Sequence, residues 1–341
     1  MQVSAIPVQF IRRPKSQGHD PGCVQRFNEL QGKLRISVTH ACQLRCKFCH
    51  REGIDEHWKN ITVDPAFFTR IVQAYRNLGG RFVELTGGEP TTHPRIGHLV
   101  DIAHERGAET ILCTNGLKLD RVLPQIREGK VGLIKLSLHA TDSDEQAKSL
   151  LGNAWRFEKL RSNVDKALAA GAAFQLIFTH SHQNTRFLEP VLDLALQWNV
   201  DLQVVDLITT RAHRPAEELG YVTGEQGQQI ITTRGAYLER EVRDRTGAVL
   251  KMYRTPAGKV WEVKDYHFGL LHSSMCNGCR RRQECGEGIY ALRVDALGVV
   301  KPCLLREDLQ RNVPSSLETS GIERVLTETL GLMLSCELAW N

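Results

Sequence analysis

No stretch of this chain approaches the roughly 18 to 20 consecutive apolar residues that a membrane-spanning helix needs. The opening stretch MQVSAIPVQFIRRPKSQG has no long apolar segment of the secretory kind. A soluble, cytoplasmic protein that uses no membrane is expected. A basic stripe with interleaved aromatics is also lacking: 44 Lys and Arg are scattered among 39 Asp and Glu, giving a net charge of +5, so no nucleic-acid partner is expected. Low-complexity tracts and internal repeats are missing too. What remains is ordinary globular material, 341 residues with 41% hydrophobic and 24% charged side chains, enough for one large domain or one domain with an appendage.

Cysteine is abundant. Ten cysteines are many for a cytoplasmic chain, where thiols stay reduced and grouped ones more often bind metal than pair as disulfides. Cys42, Cys46 and Cys49 form one group, and Cys276, Cys279, Cys285 and Cys303 a second. Cys23, Cys113 and Cys336 stand alone and read as small buried hydrophobes.

From about residue 34 to 210, short β-branched runs alternate with apolar residues at three- and four-residue spacing, the mark of repeated βα units around a parallel sheet. Six strands are predicted: Leu34–Val38, Phe82–Thr86, Thr110–Cys113, Leu133–Leu138, Phe174–Phe178 and Leu202–Leu207. Six units suit a partial (β/α)6 barrel with one side open, whose active-site residues come from loops at the C-terminal strand ends. The expected organisation is an irregular N-terminal arm over 1–33, the partial barrel over 34–210 and a C-terminal α+β subdomain over 211–341. That subdomain is expected to hold a long helix from Gly224 to Arg243, two β-like runs at Val249–Tyr253 and Lys259–Val263, and a closing helix over Leu317–Leu334.

The segment LRISVTHACQLRCKFCHREG runs from the first strand into a loop carrying Cys42-x3-Cys46-x2-Cys49. Three thiolates can supply three of the four irons of a 4Fe-4S cluster and leave the fourth open for a bidentate ligand, a need that the amino and carboxylate groups of S-adenosylmethionine (SAM) meet. The competing reading is a zinc site with His50 as fourth ligand. CxxxCxFC resembles the motif of the radical SAM superfamily, and Thr86-Gly87-Gly88-Glu89-Pro90 resembles that family's GGE motif after the second strand. The resemblance implies reductive SAM cleavage to a 5'-deoxyadenosyl radical that abstracts hydrogen from an organic substrate, with an electron donor such as flavodoxin or ferredoxin. It also implies SAM contacts at Phe48, Thr86, Gly87, Gly88, Glu89, Thr114 and Ser137. For Thr114 and Ser137 alone, a turn or capping role is an equal reading. Asp206 and His139, at strand ends, are candidates for proton transfer.

The four later cysteines could fill a zinc tetrahedron or bind a second 4Fe-4S cluster, and local spacing does not choose between them. Their arrangement resembles the auxiliary-cluster (twitch or SPASM-like) subdomain of radical SAM enzymes, which implies a second 4Fe-4S cluster.

Over most of residues 33 to 305 the chain resembles the GTP 3',8-cyclase family of molybdenum-cofactor biosynthesis, through the opening motif and through ALRVDALGVVKPCLL near the end. The resemblance implies a nucleotide- or nucleoside-like small-molecule substrate held by Arg35 and Arg293. There are departures. Ala291 replaces the first arginine of the C-terminal pair, no basic residue follows the GGEP motif before Arg95, the Cys279-x5-Cys285 spacing adds a fourth cysteine, and the chain ends in Glu337-Leu338-Ala339-Trp340-Asn341 rather than Gly-Gly. A relative with a changed substrate is expected. The alternative is a twitch- or SPASM-type maturase modifying a ribosomally made peptide, although the first 33 residues show no peptide-recognition domain. A regulatory metal-binding protein is a third reading, and the intact GGEP motif argues against it.

Overall fold

The computed structural model describes residues 22–53, 60–207, 218–220, 222, 224–243, 249–265, 271–280, 282, 285, 291–334 and 339–340. Six parallel strands come first: β1 (Lys33–Thr39), β2 (Phe82–Gly87), β3 (Glu109–Thr114), β4 (Leu133–Ser137), β5 (Phe174–Thr179) and β6 (Asp201–Val205). They fall where the β-branched runs predicted them.

Each crossover carries helix. Pro65–Asn77 follows β1, Ile96–Glu105 follows β2, Leu123–Arg127 follows β3, Glu145–Leu151 and Phe157–Ala169 follow β4, and Leu188–Trp198 follows β5. Local chemistry sets the ends. Asp64 accepts the amide hydrogens of Ala66 and Phe67 at 2.9 and 3.1 Å, and Pro65, which lacks an amide hydrogen, opens the helix. Phe67, Phe68, Ile71, Val72 and Tyr75 then share one face and are buried, each stabilising the fold by roughly 1.5–3 kcal/mol.

The C-terminal strands are β7 (Tyr237–Arg243), β8 (Val249–Arg254), β9 (Val260–Asp265), β10 (Leu271–His272), β11 (Ala291–Val294), β12 (Val299–Lys301), β13 (Arg311–Asn312) and β14 (Ala339–Trp340). Most join the same sheet at its two edges, giving the order β13-β12-β11-β1-β2-β3-β4-β5-β6-β9-β8-β7. β11 pairs in parallel with β1, and β9 in parallel with β6, so the parallel block has eight strands, with antiparallel extensions at both ends. The sheet curves into a partial barrel. Lys135 on β4 reaches Glu84 on β2 across the intervening β3, with Nζ to Oε1 at 2.8 Å, which places polar side chains of non-adjacent strands on one concave face.

Two expectations are corrected. The long helix over Gly224–Arg243 is a helix only over Gly224–Thr232. Gly235 turns the chain with φ at 74°, and Tyr237–Arg243 forms the edge strand β7, paired with β8 in a two-residue alternation that helical spacing had obscured. The arm over 1–33 is irregular in neither of its described parts: Gly22–Glu29 is helical, and Lys33 already belongs to β1. Cys23 and Phe27, four residues apart, bury one face of that helix against the closing helix Thr319–Leu334. Residues 1–21, the polar stretch around Pro215, Tyr290 and Cys336 lie outside the described residues.

Candidate active site at the C-terminal strand ends

The loop carrying Cys42, Cys46 and Cys49 leaves β1 at Thr39, where the register against β2 shifts. Gly87 has φ at 134°, and a Cβ there would stand 2.2 Å from the Thr39 carbonyl oxygen; a Cβ on Gly88 would stand 2.3 Å from that of Ala41. Hydrogen bonds enforce the approach: the Gly88 N–H donates to Thr39 O and the Glu89 N–H to Ala41 O, both at 2.8 Å. The room these glycines provide is taken up by the backbone of residues 39 to 41.

Further anchors hold the rest of the loop. The Arg45 and Lys47 amides donate to the carbonyls of Leu151 and Leu150 at 2.9 Å, at the end of helix Glu145–Leu151. Gln43 donates to Asn115 Oδ1 at 3.0 Å, just beyond β3. Phe48 lies edge-on to His139, with ring centroids 4.5 Å apart.

The surroundings of all three thiols favour the protonated form. Burial pushes Cys42 up to about 12, with the Glu89 carboxylate adding to the effect. Cys46 is raised well above the ordinary thiol value, first by burial and then by the neighbouring Cys49 and Cys42. Cys49 is raised by burial. A cation is what would make such a set ionise. Among the described residues, no three His, Cys, Asp or Glu side chains gather around a single ion. His50, the fourth ligand of the competing zinc reading, accepts the Glu52 amide hydrogen through Nδ1 at 3.0 Å. Three thiols close enough to feel one another are a donor set that suits an iron-sulfur cluster.

Glu89 is buried, and its carboxylate is fully engaged by the protein. Oε1 accepts from Thr91 N at 3.0 Å, Thr91 Oγ1 at 2.5 Å and Thr114 Oγ1 at 2.7 Å, while Oε2 accepts from Asn115 N at 2.7 Å. Glu89 therefore ties the end of β2 to the end of β3. Thr114 Oγ1 also accepts the Gly116 amide hydrogen at 3.0 Å, which makes its turn role real. Ser137 is half-buried at the end of β4. His139 accepts the Thr179 amide hydrogen through Nδ1 at 3.1 Å, which leaves its proton on Nε2, and burial lowers its pKa to about 3.

Below the loop the concave face is strongly charged. Arg35 on β1 pairs with Glu84 on β2 (Nη1 to Oε2, 2.6 Å) and with Glu52, three residues past Cys49. Arg293 stands opposite Arg35 on β11, with Nε 3.9 Å from Glu52 Oε2. Burial raises both carboxylates, but the surrounding cations together outweigh it: Arg35, His50 and Arg293 hold Glu52 at about 2, and Arg35, Lys135 and Lys33 hold Glu84 well below the usual carboxylate range. Lys33, also on β1, is lowered to about 8 by burial and by Lys135. Cys113 faces this chamber rather than the apolar core, its thiol donating to Glu84 at 3.2 Å. Arg95 lies outside the chamber, largely exposed beside Asp64 at 4.0 Å.

In the second cysteine group, the Cys279 N–H donates to Cys276 O at 3.1 Å, and the Leu305 N–H donates to Cys303 Sγ at 3.3 Å. Burial raises the Cys276 thiol, and Cys279 adds to it. Arg306, bound to the Met275 carbonyl, lies within electrostatic reach of both Cys279 and Cys303. Cys276, Cys279 and Cys303 therefore share one neighbourhood. Cys285 is half-buried.

Sequence reasoning missed Glu52, Glu84, Lys135 and Gln43. Two-residue alternation in β1, β2 and β4 was the available signal: Arg35, Glu84 and Lys135 each interrupt an apolar strand on the same face.

Residues 36–195 match the model of the radical SAM superfamily. The probable GTP 3',8-cyclase of Saccharolobus solfataricus is 26% identical over 316 residues, covering 90% of this chain and 94% of the relative. That of Methanococcus maripaludis is 23% identical over 286 residues, covering 83% and 88%. Among solved structures, Streptococcus suis SuiB bound to its precursor peptide SuiA superimposes with a TM-score of 0.64 at 13% identity, covering 94% of this chain and 73% of SuiB. The enzyme anSMEcpe with bound AdoMet gives a TM-score of 0.59 at 13% identity, covering 88% and 77%. Identities this low carry the fold and no more. A radical SAM domain implies a 4Fe-4S cluster and SAM as cofactors and a small-molecule or peptide substrate. Residues 36–195 are thus a radical SAM domain, and together with the cyclase relatives that domain marks this chain as an enzyme.

Proposed function

We propose that Cys42, Cys46 and Cys49 hold a 4Fe-4S cluster, that SAM lies along Phe48, Thr86, Gly87, Gly88, Glu89, Thr114 and Ser137, and that the substrate is a nucleotide- or nucleoside-like small molecule. When bound, the cluster and SAM supply the reductive cleavage that starts hydrogen-atom abstraction, with the electron coming from a flavodoxin- or ferredoxin-like donor. The protein's own part is positional. The Gly87-Gly88 contact and the Leu150 and Leu151 carbonyls fix the cysteine loop over the chamber, and Glu89 fixes the two strand ends that face it. Polar side chains on the concave face orient the substrate below.

The observation that carries the substrate class is the Arg35–Arg293 pair at one register of β1 and β11, directly beneath the loop. Planar guanidinium groups suit phosphate oxygens or purine edges. The relatives named as probable GTP 3',8-cyclases, matched over most of their length, support the same class. Cys276, Cys279, Cys285 and Cys303 are assigned to a second 4Fe-4S cluster in a twitch-like region over 211–341, beside the barrel proper over 34–210.

Anaerobic incubation of the reconstituted enzyme with SAM, dithionite and GTP tests the reading. A cyclised purine product, or 5'-deoxyadenosine formation stimulated by GTP, supports it. No stimulation by any nucleotide, with turnover of a peptide instead, contradicts it.

A further inference from the structure

Arg35 and Arg293 occupy directly paired positions on adjacent parallel strands, an arrangement of like charges that costs stability unless an anion lies between them. Glu52 is that anion. One of its oxygens meets Arg35 and also lies 3.4 Å from the Thr86 hydroxyl, while the other lies 3.9 Å from Arg293 Nε. The carboxylate thus spans β1, β2 and β11 from a residue that belongs to the cysteine loop. It is 8% exposed, so water screens these contacts little.

The backbone leading to it is itself unusual. Arg51 and Glu52 both adopt left-handed conformations, with φ at 56° and 48°, although neither is glycine. Consecutive left-handed side-chain-bearing residues persist only where their surroundings over-determine them. Here the determinants are the buried ion pairs together with two backbone hydrogen bonds: the Arg51 N–H donates to Cys49 Sγ at 3.4 Å, and the Glu52 N–H donates to His50 Nδ1. The same turn therefore sets the thiol of Cys49 and the carboxylate of Glu52.

We infer that Glu52 is a positioning residue that locks the third cysteine and the arginine-bearing chamber wall into one rigid unit, so that cluster and substrate wall keep a fixed relation. The inference rests on the reading that Cys42, Cys46 and Cys49 ligate the cluster. It assigns Glu52 no contact with substrate or SAM.

The test uses the full-length enzyme, anaerobically reconstituted with iron and sulfide, as wild type, Glu52→Gln and Glu52→Asp. Circular dichroism checks folding, iron is counted, and the EPR spectrum of the reduced cluster is recorded with and without SAM. Glu52→Gln is expected to take up wild-type iron yet to bind SAM about 10- to 100-fold more weakly, with a broadened SAM-induced EPR change. Glu52→Asp, which keeps the charge one methylene short, is expected to fold and to recover part of both. Wild-type SAM affinity and EPR spectra in both variants at full iron content overturn the inference alone. A wild-type enzyme that takes up no iron overturns the cluster reading and the inference with it.

Discussion

Phe48 of the cysteine loop and His139 at the end of β4 meet edge to face, with ring planes inclined at 71° and centroids 4.5 Å apart. The imidazole is held by the Thr179 amide and kept neutral by burial, so a loop residue two positions after Cys46 rests on a ring whose protonation state is fixed.

That neutrality has a pH signature. The unfolded chain takes up a proton on His139 near pH 6.5, whereas the folded protein refuses it down to about 3. Stability from this group is present above 6.5 and is lost as pH falls toward 3, by at most about 1.4 kcal/mol per pH unit. His139→Gln, which can still accept the Thr179 amide hydrogen, should cost more stability at pH 7 than at pH 4.5. Urea unfolding of both proteins at the two pH values checks this, and an unchanged difference refutes it.

Glu89→Gln replaces one acceptor oxygen of a fully engaged carboxylate by an NH2 group that must face existing donors. A loss of about 1–3 kcal/mol in stability is expected, because a buried donor loses its acceptor. Thermal or urea denaturation without cofactors measures it. Since the carboxylate joins two strand ends, SAM binding should weaken as well.

Gly88→Ala would place a methyl carbon 2.3 Å from a backbone oxygen that cannot retreat without breaking the Gly88 and Glu89 hydrogen bonds to the loop. The sheet should survive while the loop is displaced. Iron uptake should therefore fall several-fold more than the unfolding free energy would suggest, as read by iron analysis alongside circular dichroism.

Lys135→Met removes one cation from the fully buried Glu84. Breaking a buried pair on one side costs about 3–5 kcal/mol, and Arg35, which keeps its contact to Glu84, should hold the loss toward the lower figure. The double variant Lys135→Met, Glu84→Gln should recover part of the stability, which a double-mutant cycle in urea would show.

The barrel was legible because its strands are short, β-branched runs and its covering helices keep three- and four-residue apolar spacing. The cysteine loop and GGEP were legible because their chemistry is local in sequence. Glu52, Glu84 and Lys135 were hidden because their meaning lies in contacts between β1, β2, β4 and β11 that no sequence window spans. Glu89 was legible as a residue of the GGEP motif, while its four donors were not, because Thr114 and Asn115 at the end of β3 reach it and Thr91 only in the fold. The break of the Gly224–Arg243 segment depended on Gly235 and on the pairing of β7 with β8.

The most direct test of the account is 5'-deoxyadenosine formation from SAM by the anaerobically reconstituted enzyme with dithionite, compared with a Cys46→Ala variant of unchanged fold. The account predicts product from the wild type and none above background from the variant, whose iron content falls by about four atoms per chain if a 4Fe-4S cluster is lost. A wild-type protein that makes no 5'-deoxyadenosine, or a variant that makes as much, would contradict it.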